Sequence, residues 1–491
     1  MYELKIESAR NGQKTCIINN IRLHSAYNPE KEAETFVENI KNDFSPELII
    51  ITEPALSYSA TFLRKKFPNT ILIAIRYTFS FETTNEVWDK VFHYKDISKL
   101  QELFTETQLL SALFLSWEPS QRVFSKEYTE TWNSIKQILS ISKDILATRQ
   151  FFGKKWFFNI SRFCSLIKSS WSITKGNCPI LVVASGPSLK TSIEMIKKHR
   201  NEFFLLVVSS AYNCLLAEKI IPDLCISTDG GFWAKMHIKN CKCPIIASAE
   251  SAIPKNLFDN NKIIPISYED GAEKDFLTAC KINYLVAKRN GTVSGTAIEL
   301  ALDLTSGPIF ACGLDLSTNL GYQHFQPNAL ENINSTKDYR IKPLETRIYP
   351  SQLKKESLEI YANWFKQNSK KLGKRLYRLG NYLYPNKLGE IQDISWDFFE
   401  DKFAKKQDSE ILFPKIHEEN LKDKSFRKNE IQKLLKNISA KKEWQENIFP
   451  ADFLNIKRFP QKKDFQIELN NKIADLIKKI ELLFRFTGKY E

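Results

Sequence analysis

Short, nearly continuous apolar runs alternate along the chain with segments in which charges and apolar residues recur at helical spacing. That is the pattern of parallel strands buried on both faces and joined by helices. PELIIITE (Pro46 to Glu53) reads as a buried strand, LSYSATFLRKKF as a helix and NTILIAIRY (Asn69 to Tyr77) as the next strand. ILVVASGPSLK (Ile180 to Lys190) opens the same sequence of events again. Placing Glu53 beside Gly186 sets an offset of 133 (186 − 53), and Ile71 to Ile75 then fall beside Phe204 to Val208 without a gap. Two related doubly wound units follow from this.

In the second unit further strands read at FFLLVV (Phe203 to Val208), PDLCIST (Pro222 to Thr228), CPIIASA (Cys243 to Ala249), KIIPIS (Lys262 to Ser267) and GPIFACG (Gly307 to Gly313). From Pro350 onward the pattern becomes long, amphipathic and rich in Lys, Glu, Leu and Ile, which predicts helices. The expected fold is α/β: two Rossmann-like doubly wound units followed by a mostly helical C-terminal domain. The expected boundaries are 1–128 for the first unit, 129–171 for a helical connector, 172–349 for the central unit and 350–491 for the helical part.

A chain of 491 residues with 43% apolar and 12% aromatic residues is long enough for several cores. Its start, MYELKIESARNGQKT, lacks the pattern of a secretory signal, and no apolar run approaches the ~18 residues of a spanning helix, so a soluble, cytoplasmic protein without a transmembrane segment is expected. Nine scattered cysteines suit reduced thiols, and Cys241-Lys242-Cys243 has no second pair at zinc-ligand spacing. The net charge is +14, and the part from Ser351 to Glu491 holds 30 Lys and Arg against 21 Asp and Glu, a difference of 9. Because acids interrupt the basic runs and no stacked aromatic and arginine motif is present, this surface reads as solvated helix and not as a nucleic-acid binder.

The strand ends carry the candidate chemistry, since ligands of open α/β sheets bind there. Gly186 would let a phosphate approach the backbone, Pro187 suits a first helical turn and Ser188 can cap the helix or bond a phosphate oxygen. A plain capped turn fits the same three residues. Glu53 replaces the glycine in the first unit, and its charge would repel phosphate, so only the second unit is expected to bind nucleotide. Ser209, Ser210 and Asn213 follow the second strand, Asp229 with Gly230 and Gly231 the third, and Asp315 the last. His324, on a loop beyond Asp315, is either an ordinary loop histidine or a general base.

VVASGPSLK, PDLCISTDGG and GTVSGTAIELALDL…PIFACGLDLSTNLGYQH together resemble the Maf (motility accessory factor) flagellin glycosyltransferases, whose central domain is similar to bacterial CMP-sialic acid sialyltransferases. The resemblance spans Cys178 to Phe325. It implies that Gly186, Pro187 and Ser188 hold the phosphate of a CMP donor, with Asn213, Asp229, Thr292, Ser294, Gly295 and Asp315 lining the same cleft. It implies that Tyr322 steadies the leaving phosphate and that His324 is the base. Relatives often have glycine where this chain has Ala184. The implied reaction moves a nonulosonic acid, such as pseudaminic or legionaminic acid, from a CMP-activated donor to Ser/Thr hydroxyls of flagellin, with inversion. No cofactor and no metal is implied, and no Asp-x-Asp motif stands at a strand end. The same superfamily is similar to MptE-like hydroxymethylpterin diphosphokinases, for which ATP and magnesium are expected. A catalytically silent nucleotide-binding or flagellin-interaction protein is the third reading.

Overall fold

The computed structural model describes residues 3–317, 324–328, 336, 339–341, 356–384, 386–404 and 411–485. The fold is mixed α/β, with two parallel sheets and a mostly helical C-terminal region. It divides into two compact units: Met1–Gly153 with Ser439–Asp475, and Lys154–Ile438 with Leu476–Glu491. The stretch from 350 is therefore not one separate domain. Its residues are shared between the two units.

In the first unit, β1 (Leu4–Ser8), β2 (Lys14–Ile18) and β3 (Ile21–Arg22) form an antiparallel meander. A parallel sheet follows from β4 (Leu48–Thr52), β5 (Ile71–Arg76), β6 (Lys90–His93) and β7 (Leu113–Ser116), in the order β6-β5-β4-β7. Ile49, Ile50 and Ile51 are wholly buried, as a strand covered on both faces requires.

The second unit holds β8 (Ser170–Ile173), β9 (Ile180–Val183), β10 (Phe204–Val208), β11 (Leu224–Ser227), β12 (Ile245–Ser248), β13 (Ile263–Ser267), β14 (Leu285–Val286), β15 (Ile309–Cys312), β16 (Leu376–Leu379), β17 (Gln392–Ile394) and β18 (Ile416–Glu419). Their order is β17-β16-β15-β9-β10-β11-β12-β13-β8-β18, with β14 beside β13 and only β18 antiparallel among the described strands of this sheet. The chain runs outward from β9 to β13 and then returns to lay β15 on the other side of β9. That reversal leaves a crevice at the carboxyl ends of β9 and β15, where such sheets take ligands.

The repeat read from the sequence is present in the topology. β4 and β9 are each flanked by the next strand on one side, β5 and β10, and by a returning strand on the other, β7 and β15. The offset of 133 carries Lys90, the first residue of β6, to position 223, one residue before β11 begins at Leu224. Strands β12 and β13 have no counterpart among the described residues of the first unit.

Two differences from the sequence reading have physical causes. The connecting helix is Ser125–Leu166, and Trp171 lies in β8, paired with β18. GKRLYRLG, which reads as helical, supplies β16 beside β15. Its Arg378 is fully buried, yet satisfied: Nε donates to Asp393 Oδ1 at 2.7 Å, Nη2 donates to Asn386 O at 2.7 Å, and the guanidinium lies over the Tyr384 ring. A strand can bury an arginine when carboxylate, carbonyl and ring meet all its faces. All nine cysteines are free and buried, and among the described residues no helix is long and apolar enough to cross a membrane.

At the end of β4 in the first unit, Glu53 is wholly buried. Its Oε2 accepts from the Tyr77 amide at 2.7 Å, and its Oε1 from Arg76 Nη1 at 3.0 Å. Arg76 also donates to Ala55 O, Ser57 Oγ, Thr84 Oγ1 and Asn85 Oδ1. This network closes the end of β4 with the protein's own side chains. Arg76→Ala should leave a buried carboxylate without its counter-ion and cost about 3–5 kcal/mol. Chemical denaturation of the full chain, read by amide exchange in β4 and β5, should show the loss; exchange at the wild-type rate would mean that the crevice is not closed by this pair.

Candidate functional site

The crevice between β9 and β15 is tight. The Gly186 amide donates to the Gly313 carbonyl at 2.9 Å. A side chain at Gly186 would collide with Gly313 O and with the Asp315 carboxylate, and one at Gly313, which has φ +67°, would collide with the Ala184 carbonyl. Both glycines are thus demanded by close approach of the two strand ends.

Asp315 enters that gap. Ser188 Oγ donates to Asp315 Oδ2 at 2.7 Å, and the Ser188 amide donates to the same carboxylate at 3.2 and 3.3 Å. Both residues are buried. Burial pushes the Asp315 carboxyl above its ordinary range, and the Ser188 bonds and the charge of Arg378 oppose the push. The turn at Gly186-Pro187-Ser188 therefore already has an acceptor of its own, the Asp315 carboxyl group. A phosphate at the Ser188 amide would face a carboxylate already bonded there, so Ser188 and Asp315 form the floor of the crevice and hold each other. Pro187 opens a 3-10 turn over this floor, Pro187–Ser192.

Polar groups line the crevice above. Ser185 Oγ and Ser210 Oγ are 2.8 Å apart, joining the ends of β9 and β10. Asn213 is half-buried on the helix Ser209–Ala217. His324 belongs to a strip, 324–328, fixed along that helix: the Phe325 amide donates to Ser185 O at 2.8 Å, and Asn328 Nδ2 donates to Ser210 O at 3.1 Å. The strip sets His324 beside the end of β9. Tyr322 lies outside the described residues.

Asp229 and the Thr292–Gly295 turn stand farther along the same edge. Asp229 is exposed, and its Oδ1 accepts from the Gly231 amide at 2.8 Å. Thr292 caps the helix Val293–Leu304 by accepting from the Gly295 amide at 2.9 Å. The first amides of that helix, at Val293 and Ser294, have no partner within it and carry the positive end of its dipole. Tyr361 and Trp364 of the helix Glu356–Leu372 pack against Gly291 and Gly295, and the Asp229 charge reaches Tyr361.

Three features escaped sequence reasoning. His237 ends the helix Phe232–His237 after β11; it is buried, its Nδ1 has no partner among the described residues, and burial with the nearby charge of His324 lowers its pKa to about 4. Its basic neighbours in KMHIKN draw attention away from it, although it follows a strand end by one short helix. The Tyr361 and Trp364 pair shows only as two aromatics three residues apart on one helix face.

The third is a charge network beside the turn. Arg289 grips Glu250 with two bonds, 3.0 and 3.1 Å, reaches Asp270 at 3.1 Å and lies over the Tyr268 ring. Burial opposes its charge, but Glu250 and Asp270 outweigh that and hold it firmly protonated. Glu273, behind them, accepts from Ser248 Oγ, the Ala249 amide and the Tyr268 amide. Burial and the Glu250 charge push its pKa up to about 7. Among the described residues no group of three or more His, Cys, Asp or Glu side chains is placed to hold a metal ion.

A family model described as 6-hydroxymethylpterin diphosphokinase MptE-like matches residues 123–320. An uncharacterized protein of Treponema pallidum (strain Nichols) is 32% identical over 295 residues, 60% of this chain and 65% of that protein. A second from the same organism is 28% identical over 158 residues, 31% of this chain and 27% of that one. The chain thus spans less than two thirds of the length of either curated relative. Among solved structures, the Maf glycosyltransferase from Magnetospirillum magneticum AMB-1 superposes with a TM-score of 0.58 at 11% identity, covering 99% of this chain and 93% of that one. At that identity the likeness is one of fold.

Two outcomes follow from the geometry. Gly186→Ala should cost ~2 kcal/mol or more through overpacking, and calorimetric unfolding at the wild-type temperature would contradict the close approach described. Glu273, with its folded pKa raised from 4.5 to about 7, binds a proton more tightly when folded. Its contribution is therefore full at low pH and lost as pH rises from about 4.5 to about 7. Glu273→Gln should flatten that part of the stability profile, and an unchanged profile would assign the titration elsewhere.

Proposed function

We propose that this chain is a glycosyltransferase that moves a nonulosonic acid from a CMP donor to Ser/Thr hydroxyls of flagellin in the cytoplasm. The observation that carries the reading is the fold likeness to the Maf glycosyltransferase, which spans both units and the C-terminal region. The polar crevice supports it. Ser210, Asn213, Asp229 and the Thr292–Gly295 turn gather on one sheet edge, as a charged nucleotide donor needs.

In this reading the donor phosphate lies at the open amides of Val293 and Ser294, near Thr292 and Asn213. The floor made by Gly186, Pro187, Ser188 and Asp315 sets the depth of the pocket. CMP departs with its charge already present, so the transition state needs its leaving phosphate stabilised, and fixed dipoles of a helix terminus supply that without reorganisation. Tyr322 adds a hydrogen bond to the departing phosphate. His324 takes the proton of the acceptor hydroxyl, and direct displacement inverts the anomeric carbon.

The match to the MptE-like model over residues 123–320 favours a second reading, a pterin diphosphokinase using ATP and magnesium. Incubating the full chain with a CMP-nonulosonate and flagellin should release CMP and add the sugar mass to flagellin. Release of AMP from ATP, dependent on a hydroxymethylpterin, without any CMP-sugar turnover would instead support the kinase. His324→Ala should retain CMP binding in calorimetry yet slow transfer roughly 100-fold or more. Transfer at the parental rate would move the base to another residue, with Asp229 the next to test.

A further inference from the structure

The Cys241-Lys242-Cys243 motif lies between the helix Phe232–His237 and β12, away from the crevice chemistry. Its two sulfurs are 3.6 Å apart. Cys225, in the middle of β11, shares a thiol hydrogen bond with Cys241. The Lys242 amide, between the two cysteines, donates to the Tyr212 hydroxyl at 3.0 Å, and that hydroxyl in turn bonds Cys241. Cys241 Sγ thus shares hydrogen bonds with Cys225, Cys243 and Tyr212 and donates to the Cys243 carbonyl at 3.6 Å.

We propose that Cys241 and Cys243 form a thiol–disulfide exchange site, oxidised by low-molecular-weight disulfides to an internal Cys241–Cys243 bridge. The sulfurs need only close from 3.6 Å to the ~2.05 Å of a bond. Residues two apart can bring their Cα atoms within the ~4.4–6.8 Å that a disulfide spans, given single steps of ~3.8 Å. Hydrogen bonding with Cys225 and Cys243, joined by Tyr212, outweighs burial and holds the Cys241 pKa down, to about 4. Its own bond to Cys241 and burial push Cys243 up. We assign Cys241, the sulfur with the more hydrogen-bond partners, as the attacker and Cys243 as the resolving thiol.

The steps balance without another reagent. The Cys241 thiolate attacks one sulfur of the small disulfide, forming a mixed disulfide and expelling one thiolate. Cys243 gives up its proton to that thiolate and attacks the Cys241 sulfur, so the Cys241–Cys243 bond forms as the second small thiol leaves. Two protein thiols are oxidised, and one disulfide is reduced to two thiols. All nine cysteines are buried, Cys241 and Cys243 among them, so the small disulfide reaches the pair through local opening; what sets Cys16, Cys178, Cys214 and Cys312 apart is that burial pushes their thiols above the ordinary range, to about 12, 11, 12 and 12. They lack this activation.

The full chain should be equilibrated in glutathione buffers from fully reducing to fully oxidising, quenched in acid, denatured and alkylated, then mapped by mass spectrometry. Cys241 and Cys243 should be lost to alkylation together, joined to each other, while Cys16, Cys178, Cys214 and Cys312 stay alkylated. Cys243→Ser should halt at a glutathione adduct on Cys241. The proposal is overturned if both remain thiols in the oxidising buffer, if either pairs with another cysteine, or if Cys243→Ser leaves Cys241 unmodified.

Discussion

The geometry of the second unit depends on one buried carboxylate. Asp315 reaches from the end of β15 into the gap left by two glycines and binds the hydroxyl and amide of Ser188 at the end of β9. Those strands are adjacent and parallel but far apart in sequence, so the bond ties the outbound half of the sheet to the returning half. Burying the carboxylate is costly, and the cost is met only because two donors and the Arg378 charge face it. Everything that lines the crevice is placed relative to that floor.

The first unit solves the same problem differently. There the carboxylate is Glu53, at the glycine's own position in the repeat, and Arg76 neutralises it directly. The arginine takes up Ala55 O, Ser57, Thr84 and Asn85 as well, so the polar capacity of the strand ends is spent inside the protein. In the second unit the arginine equivalent is absent from the floor: Arg378 belongs to β16 and gives its shortest bonds to Asp393 and Asn386. Polar groups such as Asn213 and Asp229 remain at the edge, whereas the first unit has its own bonded to Arg76.

Much of this was legible in the sequence. Buried parallel strands announce themselves as apolar runs, and β4, β5, β9 to β13 and β15 all stand where such runs occur. The 133-residue offset needed only pattern, because the repeat kept its spacing. β16 was not legible, since GKRLYRLG carries charge at positions that only Asp393 and Tyr384 make tolerable, and those partners come later in the chain. Asp315 was rightly placed at the strand end, but pattern alone cannot reveal that it meets Ser188, 127 residues away, and so occupies the anion position that the turn seemed to offer a ligand. Residue types mark where polar groups gather; which of them are consumed by one another is a matter of distances.

The C-terminal region bears on what the crevice can hold. The MptE-like match ends at residue 320, yet Tyr361 and Trp364, which back the Gly291 and Gly295 turn, come from the helix beyond it. A side chain at Gly295 would press on Asn290 and Thr292 and meet Trp364 in ordinary contact, so one wall of the turn comes from a helix that the matched segment lacks. The opening of the helix Val293–Leu304, with its unpaired amides, is the most anion-ready feature of the edge. Since its wall is built from both parts of the chain, the matched segment alone does not define the site.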